Sequence, residues 1–146
     1  MGPDLILTFL AMPIGPSVNA AYATGKYGRR FKSKEMRDWE REMDIWAKSV
    51  KHKTSLKVAQ EALKLTSKKT NLEITLNFLF EKGRILCKDG SSKRLDLDNR
   101  AKAILDNLSK KIGIDDCRFW KVILNKQIQR QGIPDECDAR ITVWGL

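Results

Sequence analysis

The chain has 146 residues, of which 42% are hydrophobic and 32% are charged, and its formal net charge is +10. This length allows one domain with a sizeable core, so we predict a single domain over residues 1–146. The positive charge favours a polyanionic partner. Nucleic acid fits that role better than a lipid surface, because no strongly basic amphipathic helix with an aromatic face stands out.

The sequence does not indicate membrane insertion or secretion. No apolar run approaches the roughly 20 residues that a bilayer-spanning helix needs. The first four residues (MGPD) lack the basic residues of a secretory signal, and the apolar stretch 5–10 is too short for the core of one. We therefore expect a cytoplasmic protein with no membrane partner.

The cysteines and the single histidine argue against several kinds of chemistry. Cys87, Cys117 and Cys137 are widely spaced and form neither a CxxC pair nor a zinc pattern, so we expect reduced thiols. His52 is the only histidine in the sequence, which argues against a histidine metal site and against a histidine-based nucleophile triad.

A strand and a basic loop are predicted first. Residues 5–12 are apolar almost throughout, which predicts a strand that is central or covered on both faces. The loop that follows contains glycines, two tyrosines and three cations: Tyr22, Lys26, Tyr27, Arg29 and Arg30. Such cations can bind phosphates and such rings can stack on bases. Packed tyrosines in a solvated loop are an equal alternative.

Two helices and a strand are predicted next. Apolar residues recur at three- and four-residue steps after Ser33, as in an amphipathic helix packed on the core: Met36, Trp39, Met43, Trp46 and Val50. Residues 55–65 fit a second short helix weakly. Residues 72–80 alternate apolar and polar side chains, which predicts a strand with one covered face.

The segment 81–94 is polar and contains glycines, so we expect a mobile loop or a loose hairpin. Its basic residues include Arg84, Lys93 and Arg94. They lie just ahead of an acidic motif, where they can guide a phosphate backbone inward.

The clearest helix pattern covers residues 98–112. An apolar stripe marks its buried face, and Gly113 suits a left-handed C-terminal cap. Residues 119–129 and 139–144 predict two further strands.

The segment KRLDLDNRAK holds the residues on which the functional interpretation depends. If its backbone is extended, Asp96 and Asp98 point the same way, and Asp98 can cap the helix that follows. Lys102 lies one turn further on, close to the Asp98 face. After the helix, Asp115 and Asp116 add more carboxylates.

This set predicts a site for a hard divalent cation beside a lysine. Mg²⁺ prefers oxygen ligands and is usually held by one or two direct carboxylates. Asp96, Asp98 and one of Asp115 or Asp116 would supply them, and spacing alone does not choose between the last two. The ion can polarise a phosphate and lower the pKa of a bound water. Lys102 can stabilise charge on the phosphate or on the leaving oxygen.

The acidic motif fits neither a calcium-binding loop nor a phosphatase site well. An EF-hand loop needs glycine at its sixth position, where this chain has Ala101. A phosphatase-type aspartate pair usually follows a buried apolar strand, whereas the polar segment GSSKR precedes this motif. An ordinary helix cap with surface acids stays a real alternative to the metal site, because aspartate often caps helices.

The chain resembles the RusA-type Holliday junction resolvases, a family common in prophages. Two segments carry the specific part of the resemblance, RLDLDN followed by Lys102, and GIDD at residues 113–116. LDNL at residues 105–108 agrees with it. The looser N-terminal part consists of Met12-Pro13, the motif PSVN that ends at Asn19, and Tyr22.

The resemblance implies a small α/β (α+β) domain, with a mixed sheet of about four strands packed with helices, that works as a homodimer. It implies magnesium- or manganese-dependent nicking of four-way DNA junctions in recombination and repair. Asp96, Asp98 and Asp116 would be the metal-binding catalytic carboxylates, Lys102 the catalytic lysine, and Asp115 the adjacent candidate ligand. A homodimer also suits the two-fold symmetry of a four-way junction, which needs two opposed cuts.

The expected DNA-binding set combines the resemblance with the basic segments: Asn19, Tyr22, Lys26, Arg29, Arg30, Arg84, Lys93 and Arg94. Asp106 matches the family pattern, but we expect it to be structural and to pair with Lys102. The alternative function is a non-catalytic module that binds branched or single-stranded DNA, which the charge and the tyrosines support. A phosphatase acting on small substrates is less favoured, because the broad positive charge has no role there.

Overall fold

A four-stranded mixed sheet forms the centre of the fold in a computed structural model that describes residues 2–144, apart from the side chains of Val18 and Asn19. Its strands are β1 Leu5–Pro13, β4 Leu72–Phe80, β5 Phe119–Ile128 and β6 Glu136–Val143. The strand order is β1-β6-β4-β5, with β6 antiparallel to both of its neighbours and β4 parallel to β5. The predicted α+β class with a mixed sheet of about four strands is confirmed.

Helices and a small hairpin complete the described part of the chain. The helix bounds are α1 Val18–Ala21, α2 Lys34–Lys48, α3 Val50–Lys64, α4 Lys82–Ile85 and α5 Asp98–Ile112, with 3₁₀ turns at Lys26–Gly28 and Asp116–Arg118. The hairpin pairs β2 Tyr22–Thr24 with β3 Arg30–Lys32. No helix among residues 2–144 is long and apolar enough to cross a membrane.

The core lies between one face of the sheet and the longer helices. Alternate residues of β4 supply its centre, and Leu72, Ile74, Leu76, Phe78 and Phe80 are all buried. Helices α2 and α3 pack on β1, and α3 also contacts α5. This packing fixes the buried side of α5 and leaves its other side facing water.

The predicted environment of β1 is wrong. We expected a central or doubly covered strand, but β1 is an edge strand paired only with β6 within the four-stranded sheet. Leu7 and Phe9 face the core, whereas Ile6 and Leu10 are exposed. The run of apolar residues therefore predicted a strand correctly, but it did not show how many faces of that strand are covered.

The helix predicted after Ser33 is confirmed, and the Ser33 hydroxyl accepts a hydrogen bond from the amide of Met36. Trp39 and Trp46 donate their indole N–H groups to carbonyl oxygens near the end of β1, at 2.9 Å and 2.8 Å. Val50 does not belong to this buried stripe, because it is 85% exposed at the start of α3. The second helix is longer than predicted, since it begins at residue 50 rather than 55.

The polar segment 81–94 contains the short helix α4 and a bridge between Leu86 and Ser92. The loose hairpin predicted there is therefore partly formed. The helix predicted over residues 98–112 is confirmed at both ends, and Gly113 closes it with φ of 76°. That positive φ explains the glycine.

Candidate active site

Helix α5 presents three ionisable side chains on one face. Asp98, Lys102 and Asp106 follow one another at four-residue steps, so they lie along one side of the helix. The other side is held in the core by residues such as Ile104 and Leu108. The core therefore fixes the orientation of the polar row.

The acidic motif does not have the extended backbone that the sequence suggested. Leu97 has φ of −72° and ψ of −39°, which are helical values, and it occupies the N-cap position of α5. Asp98 is the first helical residue and makes no side-chain cap. The predictions that Asp96 and Asp98 share a strand face and that Asp98 caps the helix are both wrong. Both carboxylates are nevertheless exposed.

The second acidic segment contacts α5 at Asp106, about one and a half turns before the helix ends at Ile112. The Asp115 side chain accepts a hydrogen bond from the amide of Cys117, which lowers the pKa of Asp115. A hydrogen bond with the carboxyl group of Asp106, together with burial and the charges of both neighbouring carboxylates, raises the pKa of Asp116. Asp116 therefore links Asp106 to Asp115.

The predicted pairing of Lys102 with Asp106 is confirmed at a distance of 3.6 Å between Nζ and Oδ2. Asp106 thus contacts both the lysine and Asp116, which we did not foresee from the sequence. The contact with Asp116 depends on how the chain turns after Gly113. It places the lysine and the second acidic segment at one site.

The two acidic segments do not converge on one point. A helix rises about 1.5 Å per residue, so Asp106 lies roughly 12 Å beyond Asp98 along α5. Among residues 2–144, no group of three or more His, Cys, Asp or Glu side chains is arranged to hold one metal ion. The first acidic segment lies at the start of the helix, and the second lies beside Asp106.

A row of separate clefts that share lining residues, which we call the α5 groove, lies along this face from Arg94 to Asp116. The first cleft has a volume of about 370 Å³ and is lined by Arg94, Asp96 and Asn99. A cavity of about 40 Å³ follows, and a cleft of about 360 Å³ beside Asp116 comes next. Asn99 lines the first two and Asp106 the last two, so neighbouring clefts adjoin.

A fourth and larger cleft extends the groove past the second acidic segment. Its volume is about 720 Å³, and it shares Asp115 with the cleft before it. Lys64, Lys68 and Arg118 line this part. The groove therefore has cations at both ends and carboxylates between them.

The predicted DNA-binding residues lie on the β2–β3 hairpin, in the α5 groove and in the segment 81–94. On the hairpin, Lys26, Arg29 and Arg30 are exposed, and the Arg30 guanidinium lies 4.9 Å from the centre of the Tyr22 ring. Arg94 lines the first cleft of the groove. The side chain of Asn19 lies outside the described residues.

Arg84 and Lys93 are held by contacts within the protein. Arg84 forms an ion pair with Asp135, and its guanidinium lies 5.6 Å from the centre of the Phe80 ring. The Lys93 ammonium donates to the carbonyl of Gly83 at 2.6 Å. These contacts brace the segment 81–94, and a role of either residue in DNA binding stays a prediction.

Sequence reasoning missed two polar residues of the groove. Asn99 lies between two clefts, three residues before Lys102. Arg100 donates to the carbonyl of Gly15 at 3.2 Å, and its burial lowers its pKa. Their positions directly after the acidic pair, inside DLDNRAK, were the available signal.

A carboxylate-lined groove with cationic ends is typical of proteins that act on nucleic acids. The family model described as endodeoxyribonuclease RusA matches residues 12–134. The chain therefore belongs to the RusA family of endodeoxyribonucleases, which confirms the resemblance carried by the acidic motif. Membership of this family implies a nuclease that acts on Holliday junctions in DNA recombination.

Two further comparisons add little. No match was found among curated proteins. A solved 2C-methyl-D-erythritol-2,4-cyclodiphosphate synthase is 22% identical to this chain, with a TM-score of 0.30. The match covers 61% of this chain and about half of the synthase chain, 51%. The Plasmodium vivax synthase has 13% identity and a TM-score of 0.34, with 97% of both chains covered. The Plasmodium falciparum IspF CDP complex has 13% identity and a TM-score of 0.32, covering 95% of this chain and 96% of its own. Scores this low support no conclusion about fold or activity.

Proposed function

We propose that the chain is a divalent-metal-dependent endodeoxyribonuclease that resolves four-way DNA junctions by paired symmetric nicks. The observation that carries the proposal is the position of Lys102 in the α5 groove, in contact with Asp106 and through it with Asp116. Such a groove offers a cation for a phosphate and oxygen ligands for a metal ion along one helix face. Family membership supplies the substrate class.

The chemistry of these carboxylate side chains fits a hard divalent ion, although no three of them surround one point among residues 2–144. Mg²⁺ takes oxygen ligands, needs only one or two direct carboxylates and keeps several waters. Asp106 and Asp116 are carboxylates in contact, and their mutual repulsion is what a bound cation would relieve. The proposed metal ligands are Asp96, Asp98 and Asp116, with Asp115 as the adjacent candidate. Because the two acidic segments do not surround one point among residues 2–144, the direct ligands of a single ion would come from one segment. Mn²⁺ has the same preference for carboxylate oxygens and is the alternative ion.

Each part of the groove has a task in this proposal. Bound Mg²⁺ would polarise the scissile phosphate and lower the pKa of a water ligand. The Lys102 ammonium would stabilise the charge that develops on the phosphate or on the leaving oxygen. Arg94, at the entrance, would bind a flanking phosphate.

A homodimer is part of the proposal, because symmetric resolution needs two opposed active sites. The exposed edge strand β5 supports it. Trp120 is 76% exposed on this strand, and Val122 and Ile128 are also exposed. Exposed apolar residues on a sheet edge are typical of association surfaces. We therefore assign the contact between subunits to β5.

The experiment that tests the proposal compares three labelled DNA substrates: a four-way junction, a flap and a linear duplex. Each is incubated with the purified protein in Mg²⁺ and in a chelator. We expect paired nicks in the junction with Mg²⁺ and none with chelator. Equal cutting of linear duplex would contradict junction selectivity, and cutting that persists in chelator would contradict the metal requirement.

A non-catalytic module for branched or single-stranded DNA is the second candidate. The exposed tyrosines and cations of the β2–β3 hairpin favour it. The same experiment separates the two functions, because a binding module would shift the junction in a gel with Mg²⁺ present but leave it intact.

A further inference from the structure

Hydrogen bonds define the β2–β3 hairpin at its turn and at its base. The amide of Gly25 donates to the carbonyl of Arg29 at 2.7 Å and closes the turn. At the base, the amide and the hydroxyl of Ser33 donate to the carbonyls of Ala21 and Ala20, at 2.9 Å and 2.6 Å. Hydrogen bonds therefore close the turn of the hairpin and join its two strands at the base, where α2 begins.

Tyr27 stands at that tip with almost no contact to the protein. Its side chain is 98% exposed, and its backbone has φ of 63° and ψ of 25°. This left-handed region is unfavourable for residues other than glycine and asparagine, so the turn itself does not favour tyrosine. Neither packing nor turn geometry favours an aromatic residue here, and both faces of the ring are free to stack on a ligand.

The surroundings of Tyr27 indicate the ligand. Lys26, Arg29 and Arg30 are exposed around it, and residues 5–34 contain no Asp or Glu. An aromatic ring among cations suits a ligand that has a flat π-face and negative charge together. A nucleotide has both, because its base stacks and its phosphate binds cations.

The hairpin also adjoins the α5 groove. Tyr22, at its base, lines the small cavity together with Lys102 and Asp106. The base of the hairpin and the lysine therefore border the same cavity. We propose that Tyr27 stacks on a base at the branch point of DNA bound in the groove, where the strand exchange removes one of its stacking neighbours, while Lys26 and Arg29 bind the adjacent phosphates. This inference rests on the proposed function, since it assumes that branched DNA occupies the groove.

The experiment measures binding in chelator, so it does not depend on cleavage. The probes are a four-way junction with 2-aminopurine at the branch point and the matching linear duplex. We expect Tyr27→Ala to weaken junction binding about 10-fold or more, since base stacking has this magnitude, with little effect on duplex binding. Tyr27→Phe should retain both the affinity and the fluorescence change. Ile45→Ala, at an exposed apolar residue of α2, is the control for loss of surface area.

Salt dependence provides a second readout. Tyr27→Ala should leave the slope of log K against log salt unchanged, because stacking releases no counterions. Arg29→Ala should reduce that slope by about one, because it removes one phosphate contact.

The inference fails if Tyr27→Ala binds the junction as well as the wild type, or if Tyr27→Phe is as weak as Tyr27→Ala. If the wild type still nicks junctions in Mg²⁺ in either case, the proposed function stands and only the hairpin assignment is lost. A wild-type protein that neither binds nor nicks the junction would overturn both.

Discussion

The Lys102 ammonium lies 3.6 Å from the carboxylate of Asp106, one turn further along α5. Both side chains are substantially exposed, at 65% and 40%, so the pair adds little to stability. The main effect of the pair is on the position of the Lys102 side chain. Since Asp106 also contacts Asp116, the pair holds the lysine beside the second acidic segment.

Lys102→Ala should reduce the nicking rate much more than DNA affinity. Loss of a preorganised cation at developing charge typically costs about 10²-fold in rate, whereas one cation among many changes affinity only modestly. Single-turnover nicking and equilibrium binding in chelator measure the two effects. Lys57→Ala, at an exposed lysine of α3, is the matched control. A variant that binds far less DNA but nicks bound DNA at the normal rate would contradict the assigned role.

Asp98→Asn and Asp116→Asn should each abolish nicking while junction binding is retained, because the amide is a poorer ligand for a hard cation and the basic surface is unchanged. Since Asp98 begins α5 and Asp116 contacts Asp106 about two turns further on, Mn²⁺ titration of each variant tests which acidic segment would hold the ion directly. Asp38→Asn, at an ion-paired residue of α2, is the control and should bind and cut normally. Full activity in both site variants would exclude the carboxylate mechanism.

If the proposed homodimer forms through β5, Trp120→Ser should shift it towards monomer, because it removes the most exposed aromatic side chain of that strand. Sedimentation velocity over a range of concentrations measures the change. Tyr27→Ala is the comparison, since it removes an aromatic residue that is also exposed but lies on the hairpin. If Trp120→Ser associates as the wild type does, the interface lies elsewhere.

Local patterns predicted the longer elements of the fold well, whereas the β2–β3 hairpin was predicted only as a loop. The periodicity of residues 98–112 and the glycine after it fixed α5, and the alternation over 72–80 fixed β4. Whether an apolar strand is covered on both faces depends on chain topology, which accounts for the error at β1.

The site was harder to predict, because its geometry depends on single torsions and on contacts between distant segments. Helical values at Leu97 alone reorient Asp96 relative to Asp98. The pairing of Arg84 with Asp135 joins residues 51 positions apart, and nothing in the local sequence of Arg84 indicates it. Residue types therefore predicted the chemistry of the groove, whereas its shape required the fold.

The three cysteines should differ in reactivity. Cys137 is buried in β6, and burial raises the pKa of its thiol, which leaves little thiolate to react. Cys87 and Cys117 are exposed. Alkylation of the native protein near pH 8, followed by mass spectrometry, should modify both exposed cysteines and spare Cys137. In denaturant all three should react, and equal labelling of Cys137 in the native state would contradict its position in the core.

Ile104 tests whether the core side of α5 supports the groove. It is fully buried, so Ile104→Ala should lower the free energy of unfolding by about 2–5 kcal/mol through lost burial and a residual cavity. Ile45→Ala makes the same chemical change at a side chain that is 71% exposed, and should cost less than about 0.5 kcal/mol. Urea unfolding measures both variants. Since Ile104 lies opposite Lys102 on the helix, a folded Ile104→Ala protein should retain junction binding at low temperature. Similar unfolding free energies for the two variants would show that α5 is not packed as described.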